Sequence, residues 1–197
     1  MKPPSTITIL IDSRERIPLL FPKSVKWHPD RSGKSHLILV KEKVVTLPAG
    51  DYTLEGYDDE SVVERKGSVR EVLGNLFTKD RRRSVAAFQR LIEACEHPYL
   101  LLDFSLSEMF TVTEHVPNPM LVLDTLLADA GNLGVTLLWG GNCKPATSRR
   151  RLGEVVLRLL LSHALRRELG PIDIQGIIDD HFEIKEEPDA GLDDNVP

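Results

Sequence analysis

The sequence predicts an α/β fold, a mixed central sheet flanked by helices. Three observations predict it. Short apolar, β-branched runs recur along the chain, at Thr6–Ile11, Tyr99–Leu102 and Val135–Trp139, and read as buried strands. Between and after them lie segments with apolar residues at helical spacing. A strand-rich first part gives way to helices that alternate with strands, the order expected of a sheet with helices on both faces.

The first strand, Thr6–Ile11, ends at Asp12. Pro18 and Pro22 break the chain, and residues 23–36 are polar, with turn residues at Asp30–Gly33. Leu37–Val40 and Val44–Leu47 read as two strands, and Tyr52–Tyr57 and Val62–Lys66 as a hairpin around Asp58-Asp59-Glu60. Ser68 followed by Glu71 is a capping-box signal for a helix carrying Val69, Val72, Leu73, Leu76 and Phe77. Further helices are expected from about Ser84, over Met120–Ala130, and from Ser148 to Leu169, where Gly170-Pro171 stops the last one. The domain is expected to span 1–170. Residues 171–184 are expected to dock or to meet a partner, and 185–197 to form an acidic disordered tail.

The chain has 197 residues and a net charge of −5. Residues 179–197 hold eight acids and one base, which leaves the body 24 Lys+Arg against 22 Asp+Glu. Basic residues cluster at Lys79, Arg81, Arg82, Arg83 and Arg90, and again at Arg149, Arg150, Arg151, Arg158, Arg166 and Arg167. Such clusters suit phosphate contacts, or else are solvated helix faces. No apolar run approaches the ~20 residues that span a bilayer, so no membrane contact is expected. The N-terminal segment does not read as a signal peptide. Two cysteines, Cys95 and Cys143, provide no disulfide framework, and an intracellular location is expected. No two histidines sit at metalloprotease spacing, and there is no Gly-rich loop ending in Lys-Ser/Thr.

Chemistry concentrates in the hairpin. Strand side chains alternate faces, so Glu64 and Lys66 share one and Arg65 points away. A turn centred between Asp58 and Asp59 sets Asp51 opposite Lys66 and diagonal to Glu64, on the same face. A one-residue slip would destroy this convergence. Two carboxylates and an ammonium suit Mg²⁺, which takes oxygen ligands. On a phosphodiester that ion polarises the phosphoryl group and generates a nucleophile, and the lysine stabilises developing charge. Asp12 and Glu15 are further acids at the end of the first strand.

These residues resemble the nuclease domain of the XPF-type structure-selective DNA endonucleases. Ile11-Asp12-Ser13-Arg14-Glu15 matches the family's opening strand and its Asp-x-Arg-Glu. Leu47-Pro48-Ala49-Gly50-Asp51-Tyr52 matches its Gly-Asp-Tyr element, and Val63-Glu64-Arg65-Lys66 its Glu-Arg-Lys signature. The similarity runs from about Thr6 to about Leu102. It implies a restriction-endonuclease-like fold, Mg²⁺ dependence with Mn²⁺ as a substitute, and hydrolysis of DNA at flaps, forks or junctions, in repair, recombination or replication. Asp51 and Glu64 would be metal ligands, with Asp12 a nearby acid and a third candidate ligand, and Lys66 the catalytic lysine. Arg65 and Glu15 fall on motif positions. Arg14 would contact DNA or hold a carboxylate, and Arg81, Arg82, Arg83 and Lys79 would bind DNA. The sequence departs from the family in two ways: Arg70 stands where the signature continues to an Asp, and the segment after residue 170 reads as too short and too acidic for the family's tandem helix-hairpin-helix module. A homodimer or an accessory protein would then supply structure selectivity. Two alternatives remain open: a non-catalytic DNA-binding or scaffold subunit, and a four-way-junction resolvase on the same fold.

Overall fold

The computed structural model describes residues 3–27, 35–77, 81–142 and 144–170. The expected turn at Asp30–Gly33, Lys79, and the segments 171–184 and 185–197 lie outside the described residues, as do the side chains of Arg83 and Ser84.

Seven strands, β1 (Thr6–Asp12), β2 (Ser24–Trp27), β3 (His36–Val45), β4 (Tyr52–Leu54), β5 (Ser61–Lys66), β6 (His97–Leu102) and β7 (Thr136–Trp139), form one mixed sheet. Its order is β2-β3-β1-β4-β5-β6-β7. The helices are α1 (Val69–Phe77), α2 (Arg81–Ala94), α3 (Leu106–Phe110), α4 (Pro119–Leu133) and α5 (Ala146–Leu169). The predicted α/β architecture, a mixed sheet flanked by helices, is what the chain adopts.

The pairings fix where a site can sit. β1 is parallel to β3 and antiparallel to β4, β4 is antiparallel to β5, and β5, β6 and β7 are mutually parallel. Hence β1, β3, β5, β6 and β7 all point one way. Their carboxyl ends share one edge of the sheet, and the start of antiparallel β4 joins them there. Loops at that edge are where α/β sheets hold ligands.

β6 shows why the sheet is covered on both faces. Tyr99 and Leu101 join the cluster under α5, with Val156, Leu157, Leu160 and Leu161. Leu100 and Leu102 join the cluster under α1 and α4, with Val72, Leu76, Val122 and Leu126. Each such buried aliphatic side chain contributes roughly 2 kcal/mol. α5 packs closely because it carries Gly153, where a Cβ would lie 2.3 Å from the Leu20 carbonyl oxygen.

The elements differ from expectation in four places. The two strands expected at Leu37–Val40 and Val44–Leu47 are one, β3, which pairs with β1 from Thr6↔Leu39 to Asp12↔Val45. Its exposed Lys41, Glu42 and Lys43 hide it from a hydrophobic reading. β2, an edge strand, lies in the stretch read as polar, since Val25 is its one buried residue. α2 begins at Arg81 rather than near Ser84. The short α3 is a full capping box, in which Ser105 Oγ accepts from Glu108 N and the Glu108 carboxylate accepts from Ser105 N.

Candidate active site

Gly50 and Asp51 bring the chain into the sheet through a bulge. Asp51 N–H donates to Val63 O at 2.8 Å, while Tyr52 pairs with the same Val63 in the ladder. Two residues thus face one, the mark of a β-bulge. Gly50 has φ +68°, and a Cβ there would lie 2.2 Å from Val62 Cγ1. Only glycine fits both constraints. Tyr52 locks the next step. It is fully buried, its hydroxyl accepts from Leu19 N at 3.0 Å, and its ring meets Phe21 edge-on at 5.6 Å. Burial pushes its phenol well above the ordinary range.

The ladder is two residues out from the expected register: Tyr52 pairs with Val63, not with Arg65. A slip of two preserves the face. That accounts for Glu64 and Lys66; Asp51, at the bulge, is brought to them by its bond to Arg65, and all three line one hollow, though Asp51 does not stand opposite Lys66. Arg65 N–H donates to Asp51 Oδ2 at 2.7 Å. Burial, and then the neighbouring Glu64, push the Asp51 carboxyl up to about 7 against the pull of that hydrogen bond. Lys66 Nζ sits 2.7 Å from Glu64 Oε1 and 3.5 Å from Glu71 Oε1. Burial works against its charge, but Glu64, Glu71 and Asp51 outweigh it and hold the ammonium above its ordinary pKa.

Asp12 is spent elsewhere. Its Oδ1 accepts from Arg14 N and Nε, and its Oδ2 from Arg14 Nη2, each at 2.7 Å; Oδ2 also accepts from Leu47 N at 2.9 Å. Burial raises its pKa, yet these bonds hold it below the ordinary value. Arg14 thus holds a carboxylate in place, donates also to Leu47 O at 3.0 Å, and still lines the cleft. Arg65 points away from Glu64 and Lys66, as expected. It pairs with Asp103, donates to Ile17 O at 2.9 Å, and lies 3.2 Å from Glu15 Oε1. Glu15 Oε1 also accepts from Ile17 N at 3.1 Å. Arg65, Glu15 and Asp103 form an ionic brace behind the carboxylates.

Two adjoining hollows of about 420 and 500 Å³ meet at Arg14, Asp51, Glu64 and Glu71. Arg16 and Lys144 line the first, and Asn75 and Arg90 the second. The sequence reading did not place Glu71, Asp103, Arg16 or Lys144 in the site. The Ser68–Glu71 spacing implies a capping box, and half of one exists: Glu71 N donates to Ser68 Oγ at 3.1 Å. Its carboxylate instead accepts from Gly67 N at 2.9 Å and turns toward Lys66. The spacing of Glu71 five residues beyond Lys66, one helical turn in, was the available signal.

The basic clusters divide. Arg81 donates to Leu76 O at 3.0 Å, at the end of α1, while Arg82 is exposed. Of the α2 cations described, Arg90 reaches the cleft. Arg149 donates to Pro18 O, Arg158 to Glu154 and Lys26 O, and Arg167 to Asp59, so these three brace the body.

Asp51 and Glu64 fit a hard divalent cation. They are oxygen donors close enough for Glu64 to raise Asp51, and Lys66 relieves that repulsion only in part. Among the described residues no helix is long and apolar enough to cross a membrane.

No family model matches the chain, and no curated protein matches it. Among solved structures it is similar to XPF from Aeropyrum pernix, with TM-score 0.48 and 19% identity over 76% of this chain and 61% of that one. It is also similar to XPF from Aeropyrum pernix in complex with DNA, with TM-score 0.49 and 18% identity over 84% of this chain and 68% of that one. The chain therefore spans about 61% of the length of the first of these.

Proposed function

We propose that the chain is a divalent-metal-dependent DNA endonuclease of the XPF type, on a restriction-endonuclease-like fold, that hydrolyses phosphodiester bonds at branched DNA. The observation that carries the reading is the convergence of Asp51, Glu64 and Lys66 where two hollows meet, with cations on the rims. Asp51 and Glu64 would hold Mg²⁺ or Mn²⁺. Two protein carboxylates suit Mg²⁺, which keeps several of its waters. When bound, the ion supplies Lewis acidity toward a phosphoryl oxygen and a more acidic water.

The chain's own groups do the rest. The Arg65 backbone N–H fixes the Asp51 carboxylate, and the ionic brace behind it fixes Arg65. Lys66 stays charged, so it stabilises negative charge at the phosphate rather than removing a proton. Asp12 acts at one remove, by holding Arg14 and Leu47. Arg14, Arg16 and Lys144 on one side and Arg90 on the other offer contacts to the sugar–phosphate backbone. The three acids at the centre, Asp51, Glu64 and Glu71, would deter an anion were no metal bound, which ties DNA approach to metal.

The test is a panel of labelled flap, fork, four-way-junction and linear duplex DNA, in Mg²⁺ and in EDTA. The expected result is Mg²⁺-dependent cutting that favours the branched substrates. Equal cutting of linear duplex removes the branch preference. No cutting in Mg²⁺ or Mn²⁺, with DNA still bound, favours the scaffold reading.

A further inference from the structure

The cleft occupies the carboxyl ends of the strands, and a second set of ligating side chains lies at the opposite end of the sheet. Glu60 immediately precedes β5, Glu96 immediately precedes β6, and His97 opens β6. Each offers a ligand atom, and the three atoms lie within 4.8 Å of one another. Their backbones are held by the sheet: Glu96 N–H donates to Asp59 O, and His97 N–H to Glu60 O, both at 2.9 Å. The ligands thus stand at, or one residue before, the starts of two neighbouring strands, on hydrogen-bonded backbone.

The His97 ring is stacked against His163 of α5, with centroids 4.1 Å apart at 27°. His163 is fixed in turn, its Nε2 2.6 Å from Tyr99 Oη. His97 Nε2 lies 3.6 Å from Glu96 Oε1, too long for a hydrogen bond. Two ligands each about 2.1 Å from a tetrahedral ion stand roughly 3.4 Å apart. The separation is close to that of two ligands flanking one ion. The neighbouring cation, Arg167, lies 3.4 Å from Glu60 but 2.8 Å from Asp59, so it keeps its nearer partner if Glu60 is taken.

We propose that Glu60, Glu96 and His97 form a second metal site, for a borderline transition ion of the zinc class. The imidazole selects such ions over Mg²⁺ or Ca²⁺, and the two carboxylates balance their charge. His163, held by Tyr99, packs against the ligating ring and orients it by stacking. An ion there ties the turn before β5 to β6 and, through His163, to α5. Glu60 lies four residues along the strand from Glu64, roughly 13 Å away, so the site is independent of the cleft.

The test uses the full chain with Asp51→Asn and Glu64→Gln, which silence the cleft. Co²⁺ is titrated and its visible d–d absorption followed, then Zn²⁺ is added as competitor. The expected result is saturable uptake of one equivalent that Zn²⁺ displaces. Adding His97→Ala should abolish it. Adding Glu96→Gln, at an exposed position that leaves folding intact, should weaken it at least about tenfold. Absence of saturable uptake overturns the proposal, and so does uptake that Glu96→Gln leaves within about twofold.

Discussion

Replacing Asp51 by Asn should destroy metal binding and yet stabilise the metal-free protein. An ordinary aspartate titrates at 3.8, and Asp51 is pushed up to about 7 by burial and by Glu64. The folded chain therefore holds this proton to higher pH than the unfolded chain does. The associated stability is fully present below pH 3.8 and is lost as pH rises through about 7. At about 1.36 kcal/mol per pH unit, the full loss is on the order of 4 kcal/mol. Asn carries no charge to lose, and its side-chain oxygen still accepts from Arg65 N–H, the bond that Asp51 Oδ2 makes at 2.7 Å. Urea unfolding in EDTA should show the variant ahead by only about 1 kcal/mol at pH 4.5. At pH 8.5 the variant should be more stable, by up to ~4 kcal/mol. Added Mg²⁺ should stabilise the wild type alone and narrow the gap. An Asp51→Asn protein no more stable than wild type at pH 8.5 would refute the reasoning, because the two carboxylates would then not strain the metal-free fold.

Three further outcomes follow from the same geometry. Mg²⁺ affinity, measured by calorimetry, should fall about tenfold per pH unit below about 7, where Asp51 keeps its proton, and should level off above it. Gly50→Ala should cost at least about 2 kcal/mol in thermal or chemical unfolding, because it places a Cβ 2.2 Å from Val62 Cγ1 at φ +68°. Arg65→Met should cost ~3 kcal/mol in chemical unfolding, since it strips a buried partner from Asp103, and should also slow any cleavage by loosening the strand that carries Glu64.

The parts of the site that were legible in the sequence are those set by alternation along one hairpin. Glu64 and Lys66 share a face whatever the register, because the period of a strand is two, while Asp51 joins them through a bulge that alternation alone does not signal. Gly50 and Tyr52 were visible as a motif, but their physical roles, a bulge with positive φ and an anchor for Leu19, depend on tertiary contacts. The role of Asp12 was not legible. A carboxylate at a strand end reads as a ligand until its partners, Arg14 and the distant Leu47, are seen to use both oxygens. Asp103, Arg16 and Lys144 reach the cleft from three different loops, so no local spacing signals them. β2 and α3 escaped because each is short and buries few residues. The expected sheet with helices on both faces came through because β6 carries a five-residue buried run and β1 an alternately buried apolar one.

The central claim is that Asp51 and Glu64 make one metal-dependent hydrolytic centre. Single-turnover cleavage of a labelled flap substrate at saturating Mg²⁺, by wild type and by Glu64→Gln, tests it most directly. The account predicts cutting by the wild type, abolished by EDTA, and a loss of at least about 10²-fold in the variant with DNA affinity retained. Cutting by Glu64→Gln at the wild-type rate would contradict it.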